Sequence, residues 1–302
     1  MSTTTPQIPL SIAQLRTSKS RLSDFVELAK PRMNFLVLIT TAVGYYMAVR
    51  HSFEWLKLVH TLLGTAATAA GASALNQWWE KTYDARMHRT ANRPLPSRRL
   101  APEEALIFGL TTGIAGTTYL ALAVNTLTAS LGTLTLLSYV LIYTPLKRHT
   151  SLCTLVGAIP GAVPPAMGWT AVHGTLSQEA WALFAILFLW QIPHFLAIAI
   201  IYRDDYAAAG FKMLPVVQGN AALTGRQILI YSIALIPASL LPFVIGMSGA
   251  TYLALAIFLD IVFFSYATSA AKAARRPEAR QLFLASIVYL PLLLAAMMMN
   301  KS

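Results

Sequence analysis

Residues 179–202, EAWALFAILFLWQIPHFLAIAIIY, run directly into residues 203–216, RDDYAAAGFKMLPV. After Glu179 the first stretch carries no acid, Lys or Arg, and it is long enough to cross a bilayer, which takes roughly 20 mostly apolar residues in a helix. The second stretch turns abruptly charged. That alternation repeats along the chain. It predicts nine spans at 33–49, 58–79, 104–124, 126–146, 151–172, 179–202, 227–247, 249–270 and 280–299. The fold class expected is an all-α, polytopic membrane bundle.

Composition agrees. Of 302 residues 56% are hydrophobic and only 12% charged, against about 25% charged in soluble domains. Cys153 is the one cysteine, so the chain holds no internal disulfide, Cys-rich zinc site or CxxC redox pair. Residues 1–22 are polar and lack the apolar core of a secretory signal. Residues 1–23 therefore read as a flexible cytoplasmic tail, and 24–302 as a single transmembrane domain. An organelle transit peptide is the alternative for the tail, since Arg16, Lys19 and Arg21 precede the first acid, Asp24.

The net charge of +11 points either to nucleic acid or to a membrane. Its placement decides for the membrane. Twenty of the 23 Lys and Arg fall in the N-terminus and the 2–3, 4–5, 6–7 and 8–9 connections. Only Arg50, Lys57 and Lys301 lie on the other side. By the positive-inside rule the N-terminus faces the cytoplasm. Basic residues confined to short loops between spans exclude a nucleic-acid binder. The opposite loops are short and nearly featureless, so the chemistry belongs at the basic face.

Two acidic sites stand there. The second span runs into NQWWEKTYDARMHRTANRPLPSRRL, residues 76–100. Asn76, Glu80 and Asp84 are spaced by four, and each step advances only about 40° around a helix, so the three line one face. Oxygen ligands of this kind suit Mg²⁺, which takes one or two carboxylates and leaves other positions to water and phosphate. Arg89 and Arg93 follow, again four apart, with the planar fork that grips diphosphate. Pro94 and Pro96 are expected to end the helix. The alternative is that the arginines only enforce topology and the acids balance them.

The second site follows Gln191 and His194 and contains Asp204 and Asp205. If the helix continues past Pro193, Gln191, His194 and Asp205 share a face, with His194 on the order of 16 Å deeper than Asp205. An ionisable side chain at that depth is a functional hypothesis; the alternative is a His satisfying a neighbouring carbonyl. Between the sites the fourth span ends in YTPLKR, residues 143–148, where Tyr143 and Lys147 are placed to meet one phosphate, or to serve as interfacial anchors. Pro160, Gly161, Pro164 and Pro165 predict irregular backbone lining a cavity in the fifth span. Asp260 lies midway along the eighth span, with His60, Gln191 or a backbone group as possible partners.

Two acidic sites on spans 2 and 6 with YxxxK between them resemble the UbiA superfamily of intramembrane prenyltransferases, over about residues 24–299. MHRTANRPLP (87–96), YTPLKR (143–148), WQIPHF (190–195) and DYAAAGFKMLPV (205–216) look most like the haem-farnesylating branch of that superfamily. The first site departs from the common Asn-Asp-x-x-Asp-x-x-x-Asp form, because Gln77 follows Asn76 and Glu80 fills the middle acid position. The second site has fewer acids than the double Asp motif of quinone prenyltransferases. The resemblance implies transfer of farnesyl from farnesyl diphosphate to a vinyl group of haem b. It implies Mg²⁺ at Asn76, Glu80, Asp84, Asp204 and Asp205, diphosphate on Arg89, Arg93, Tyr143, Lys147 and Arg148, and haem at His194 and Gln191. Asp84, Asp205 and Lys147 are the expected catalytic residues. The setting implied is a bacterial inner membrane, or a mitochondrial one, with a haem-handling membrane protein as a possible partner. The rivals are a prenyltransferase acting on a quinone or other aromatic precursor, and a transporter.

Overall fold

The computed structural model describes residues 20–217 and 221–302, so most of the expected N-terminal tail lies outside the described residues. The described part of the chain is almost wholly helical. In order come α1 (Arg21–Leu28), α2 (Pro31–Ala48), α3 (Trp55–Asp84), α4 (Pro102–Ala123), α5 (Thr126–Leu137), a π-helical segment (Ser138–Tyr143) and α6 (Thr144–Leu146). There follow α7 (Cys153–His173), α8 (Gln178–Ile201), α9 (Arg203–Ala208), α10 (Leu214–Val217), α11 (Ala221–Val244), α12 (Ala250–Ala273) and α13 (Arg276–Met299).

Among the described residues, eight helical stretches are long and apolar enough to cross a membrane, with Thr126–Leu146 counted as one. The protein is a multi-pass membrane protein. The remaining expected span, the first, corresponds to α2. Its 18 residues open on Pro-Arg-Met-Asn, which lowers its apolar content below that of the other eight. Packing nevertheless places α2 inside the bundle against α7. A Cβ on Gly168 of α7 would stand 2.0 Å from the Thr41 carbonyl oxygen of α2, so only glycine permits the approach. Small residues do the same for α3 and α4, where a Cβ on Gly71 would meet the Gly113 nitrogen at 2.5 Å.

α7 is the central helix: 72% of its spanning window is buried inside the protein, against 22–33% for α4, α5, α11 and α12. It packs on α2, α5 and α8, and α8 in turn packs on α11 and α13. The irregular backbone expected at Pro160, Pro164 and Pro165 does not occur, because α7 runs unbroken through all three. The irregularity lies instead one span earlier. Pro145 has no N–H and crowds the preceding turn, and the chain widens into the π segment just before it. The Thr144 N–H and hydroxyl both turn back to the Tyr139 carbonyl, the hydroxyl at 2.8 Å.

Two ends form. At one end Lys301 donates to the Tyr46 and Val49 carbonyls, and His173 meets the Ala48 carbonyl at 2.9 Å. The other end gathers the basic connections: Lys147 reaches Glu80, Arg89 reaches Tyr206, and Arg276 pairs with Asp204. The partition of loops into two sides read from charge alone is the one the structure adopts.

Candidate active site at the basic end of the bundle

α3 has 30 residues, about 45 Å of helix against a hydrocarbon core of about 30 Å. Its last three turns carry Asn76, Glu80 and Asp84, all facing inward at 2%, 4% and 1% exposure. The one-face reading of the four-residue spacing holds. The helix stops at Asp84, ten residues before Pro94, which corrects the expected terminus. The reason is local: the Met87 N–H and the Thr90 hydroxyl take the Asp84 carbonyl (3.3 and 2.8 Å), which a continuing helix would direct to residue 88.

Each of the three oxygen donors meets a cation. Lys30 Nζ donates to Asn76 Oδ1 at 3.0 Å. Lys147 Nζ lies 2.8 Å from Glu80 Oε1 and 3.1 Å from Oε2. Arg93 donates to Asp84 Oδ2 at 2.7 Å. Asn76 also donates to the Thr144 hydroxyl at 3.1 Å, tying α3 to the end of the π segment. Asp84 Oδ1 is buried without a hydrogen-bond partner.

The cations differ in electrostatic setting. Burial pulls the Lys147 ammonium down, but the adjacent Glu80 carboxylate outweighs it and holds the pKa above the usual lysine value. Lys147 also lies over the Tyr143 ring, 4.5 Å from its centroid. Burial, followed by repulsion from Arg93 and Lys147, lowers Lys30 to about 7. Lys30 reaches this position from left-handed backbone (φ 50°) in the turn between α1 and α2.

Arg89 and Arg93 diverge, because they occupy successive turns of a loop and not a helix. Arg93 goes to Asp84. Arg89 donates to the Tyr206 hydroxyl at 3.0 Å and lies 5.1 Å over both the Tyr202 and Tyr206 rings. Arg148 stacks 4.6 Å from the Tyr83 centroid. The condition for His194 and Asp205 to share a face is not met: α8 stays intact through Pro193 but ends at Ile201, and Tyr202 (φ −106°, ψ 28°) separates it from α9. Asp204 and Asp205 occupy the first turn of α9, where negative charge is favoured. Asp204 has an 82% exposed side chain and pairs with Arg276.

The donor set suits a hard divalent cation: oxygen ligands only, with one buried carboxylate oxygen, Asp84 Oδ1, left unpaired. Among the described residues no three His, Cys, Asp or Glu side chains gather as a metal cage. A cation at α3 would be held by Asn76, Glu80 and Asp84 and would complete its shell from a ligand.

His194 is oriented from α13. Its Nδ1 lies 2.7 Å from Ser286 Oγ, and its ring stacks with Trp190 and Phe283. Ser286 donates its only hydroxyl proton to the Phe283 carbonyl at 2.6 Å. Nδ1 is therefore the donor to Ser286, and the neutral ring keeps its lone pair on Nε2. Gln191 donates to the Leu187 carbonyl of its own helix at 2.9 Å. Asp260 accepts from Ser239 and Tyr289, each at 2.6 Å, and His60 meets Tyr119.

Residues 37–291 match the UbiA prenyltransferase family. The chain belongs to that family. It is 47% identical over 289 residues to the protoheme IX farnesyltransferase of Solibacter usitatus, covering 93% of this chain and 99% of the relative. It is 46% identical to the Myxococcus xanthus protein of the same name, covering 92% and 95%. In fold it is similar to a digeranylgeranylglyceryl phosphate synthase (TM-score 0.76, 17% identity, 93% and 99% covered). It is also similar to a UbiA homolog from Archaeoglobus fulgidus bound to GPP and Mg²⁺ (TM-score 0.65, 14% identity, 91% and 99% covered).

The UbiA architecture here brings in groups that sequence reading passed over. Lys30 was counted only for topology, and its position before Pro31 was its sole signal. Thr144, Tyr202 and Tyr206 carried none. α1 acts as a brace: Arg99 pairs with Asp24 and Glu27, and Gln77 donates to the Leu28 carbonyl at 2.7 Å, clamping the 85–101 loop over α3.

Proposed function

We propose that this membrane prenyltransferase moves the farnesyl group of farnesyl diphosphate onto a vinyl group of haem b, giving haem O and diphosphate. The observation that carries the reading is the α3 face, with three buried oxygen donors opposed by Lys30, Lys147 and Arg93 at the membrane boundary. The acceptor is inferred from the relatives named protoheme IX farnesyltransferase, which align with almost the whole chain.

Asn76, Glu80 and Asp84 would hold Mg²⁺, with Asp205 and Asp204 of α9 as the further carboxylates of the site. When bound, the cation supplies charge neutralisation for the leaving diphosphate. Arg93 and Lys147 contact the diphosphate oxygens, with Arg89, Arg148 and the Tyr143 hydroxyl on its rim. The farnesyl C1–O bond breaks with its electron pair on diphosphate. The vinyl π electrons form the new C–C bond, and water adds to the resulting carbocation with loss of a proton. No side-chain nucleophile takes part. His194 orients haem through Nε2, with Gln191 beside it. The N-terminus faces the cytoplasm of a bacterial inner membrane, following the charge of the loops.

A transporter would keep deep polar groups open along a path. Both oxygens of Asp260 are closed in by Ser239 and Tyr289, so this deep acid binds helices together and opens no path.

The test is mass spectrometry of haems extracted from membranes holding this protein, supplied with haem b, Mg²⁺ and farnesyl diphosphate. A product heavier than haem b by one farnesyl and one water is expected. Unchanged haem b from folded protein would overturn the haem reading and turn the search to quinone and phenolic acceptors.

A further inference from the structure

The three pairings on α3 are one-to-one. Lys30 holds Asn76, Lys147 holds Glu80, and Arg93 holds Asp84. The two carboxylates are thus already matched by two cations, with a third cationic side chain beside them. Glu80 and Asp84 are 4% and 1% exposed, and Lys147 is 8% exposed. Charge added here is screened little by water.

A divalent cation arriving alone would bring an excess of positive charge into this buried cluster and strand Lys147 and Arg93 without their carboxylates, which is costly. A diphosphate arriving alone would meet Glu80 and Asp84 directly. Arriving together they bring only a small net negative charge, because a prenyl diphosphate carries more negative charge than one divalent cation neutralises, and Lys30 beside the two matched pairs offsets it. Of the carboxylate oxygens on the α3 face, Asp84 Oδ1 is the one that meets no cation, and its lone pair offers the metal a first point of attachment.

We propose that the site takes up metal and diphosphate as one complex by exchange of partners: Lys30, Lys147 and Arg93 leave Asn76, Glu80 and Asp84 for diphosphate oxygens while the metal replaces them. The inference rests on the metal-dependent reading above. It adds that Lys30, Lys147 and Arg93 exclude the bare metal, making binding of the two ligands strongly cooperative. Cooperativity of this kind is reciprocal, so each ligand raises the affinity of the other by the same factor.

Equilibrium dialysis of the purified full chain against Mn²⁺, with and without inorganic diphosphate, tests it directly. Any free metal–diphosphate complex equilibrates across the membrane, so the excess on the protein side reports binding. Diphosphate is expected to raise Mn²⁺ affinity by about 5- to 150-fold. Equal Mn²⁺ affinity with and without diphosphate would overturn the exchange while leaving the metal site standing. No Mn²⁺ retained under either condition would overturn the metal reading, and the exchange with it. In Lys147→Met, checked for folding by size exclusion, bare Mn²⁺ is expected to bind more tightly than in the unaltered chain, and diphosphate more weakly. Unchanged Mn²⁺ affinity in that folded variant would remove Lys147 from the exchange. The unaltered chain carries the test if the variant does not fold.

Discussion

The Lys147 ammonium and the Glu80 carboxylate lie 2.8 Å apart, joining the end of the fourth span to the acidic face of α3 with both side chains at least 90% buried. Breaking a buried pair from one side strands the other charge, a loss of about 3–5 kcal/mol. Lys147→Ala is therefore expected to lower thermal stability sharply. The double variant Lys147→Met, Glu80→Leu removes both charges and is expected to recover most of that loss with no turnover. Thermal unfolding and product assay on the same samples check both statements. A double variant no more stable than Lys147→Ala would show that the pair contributes through more than its charges.

Asp84 sits at the last helical residue of α3 with one oxygen on Arg93 and the other unpaired. Asp84→Asn keeps the shape and an acceptor for Arg93 but removes the charge. Turnover is expected to fall by at least about 100-fold, in line with the loss of one electrostatic group from a preorganised site, while the protein remains inserted and monodisperse. Normal activity would remove Asp84 from the metal site.

The Ser286 hydroxyl fixes the tautomer of His194. Removing a hydrogen-bond partner of this kind commonly costs about 10- to 100-fold in affinity at a ligating His. Ser286→Ala is expected to weaken haem b binding on that scale in an absorbance titration, with diphosphate binding unaltered. Haem affinity unchanged in both Ser286→Ala and His194→Ala would place haem elsewhere.

Asp260 is held by Ser239 and Tyr289 in the interior of α11, α12 and α13. Asp260→Leu leaves the buried Tyr289 hydroxyl without its acceptor, at about 1–3 kcal/mol, while Ser239 keeps the Ile236 carbonyl at 2.8 Å. Lower thermal stability is expected, with turnover per folded molecule close to that of the unaltered chain. Loss of turnover in a stable Asp260→Asn protein would give this acid a part in the chemistry.

Much of the site was legible because its signals are local. Asn76, Glu80 and Asp84 share a face in any helix, and one apolar stretch after another leaves little choice of fold. Local signals failed where the backbone stopped being helical. Arg89 and Arg93 are four apart, yet the 85–101 loop sends one to Tyr206 and the other to Asp84. His194 and Asp205 lose their common face at Tyr202, and the three prolines of α7 leave their helix unbroken. Lys30 was illegible because its role depends on a left-handed turn, and Pro31 restricts the residue before it without specifying that turn.

By itself the sequence determined a bundle of membrane-crossing helices with its charge gathered at one end. A bilayer excludes charge so strongly that the order of apolar and basic segments leaves few other arrangements. Only the tertiary structure decided which cation sits on which oxygen. Those partners are separated by 46, 67 and 9 residues. Such distances are closed by glycine-lined helix packing, the π segment before Lys147 and the brace of α1, and one helix's periodicity carries no record of them.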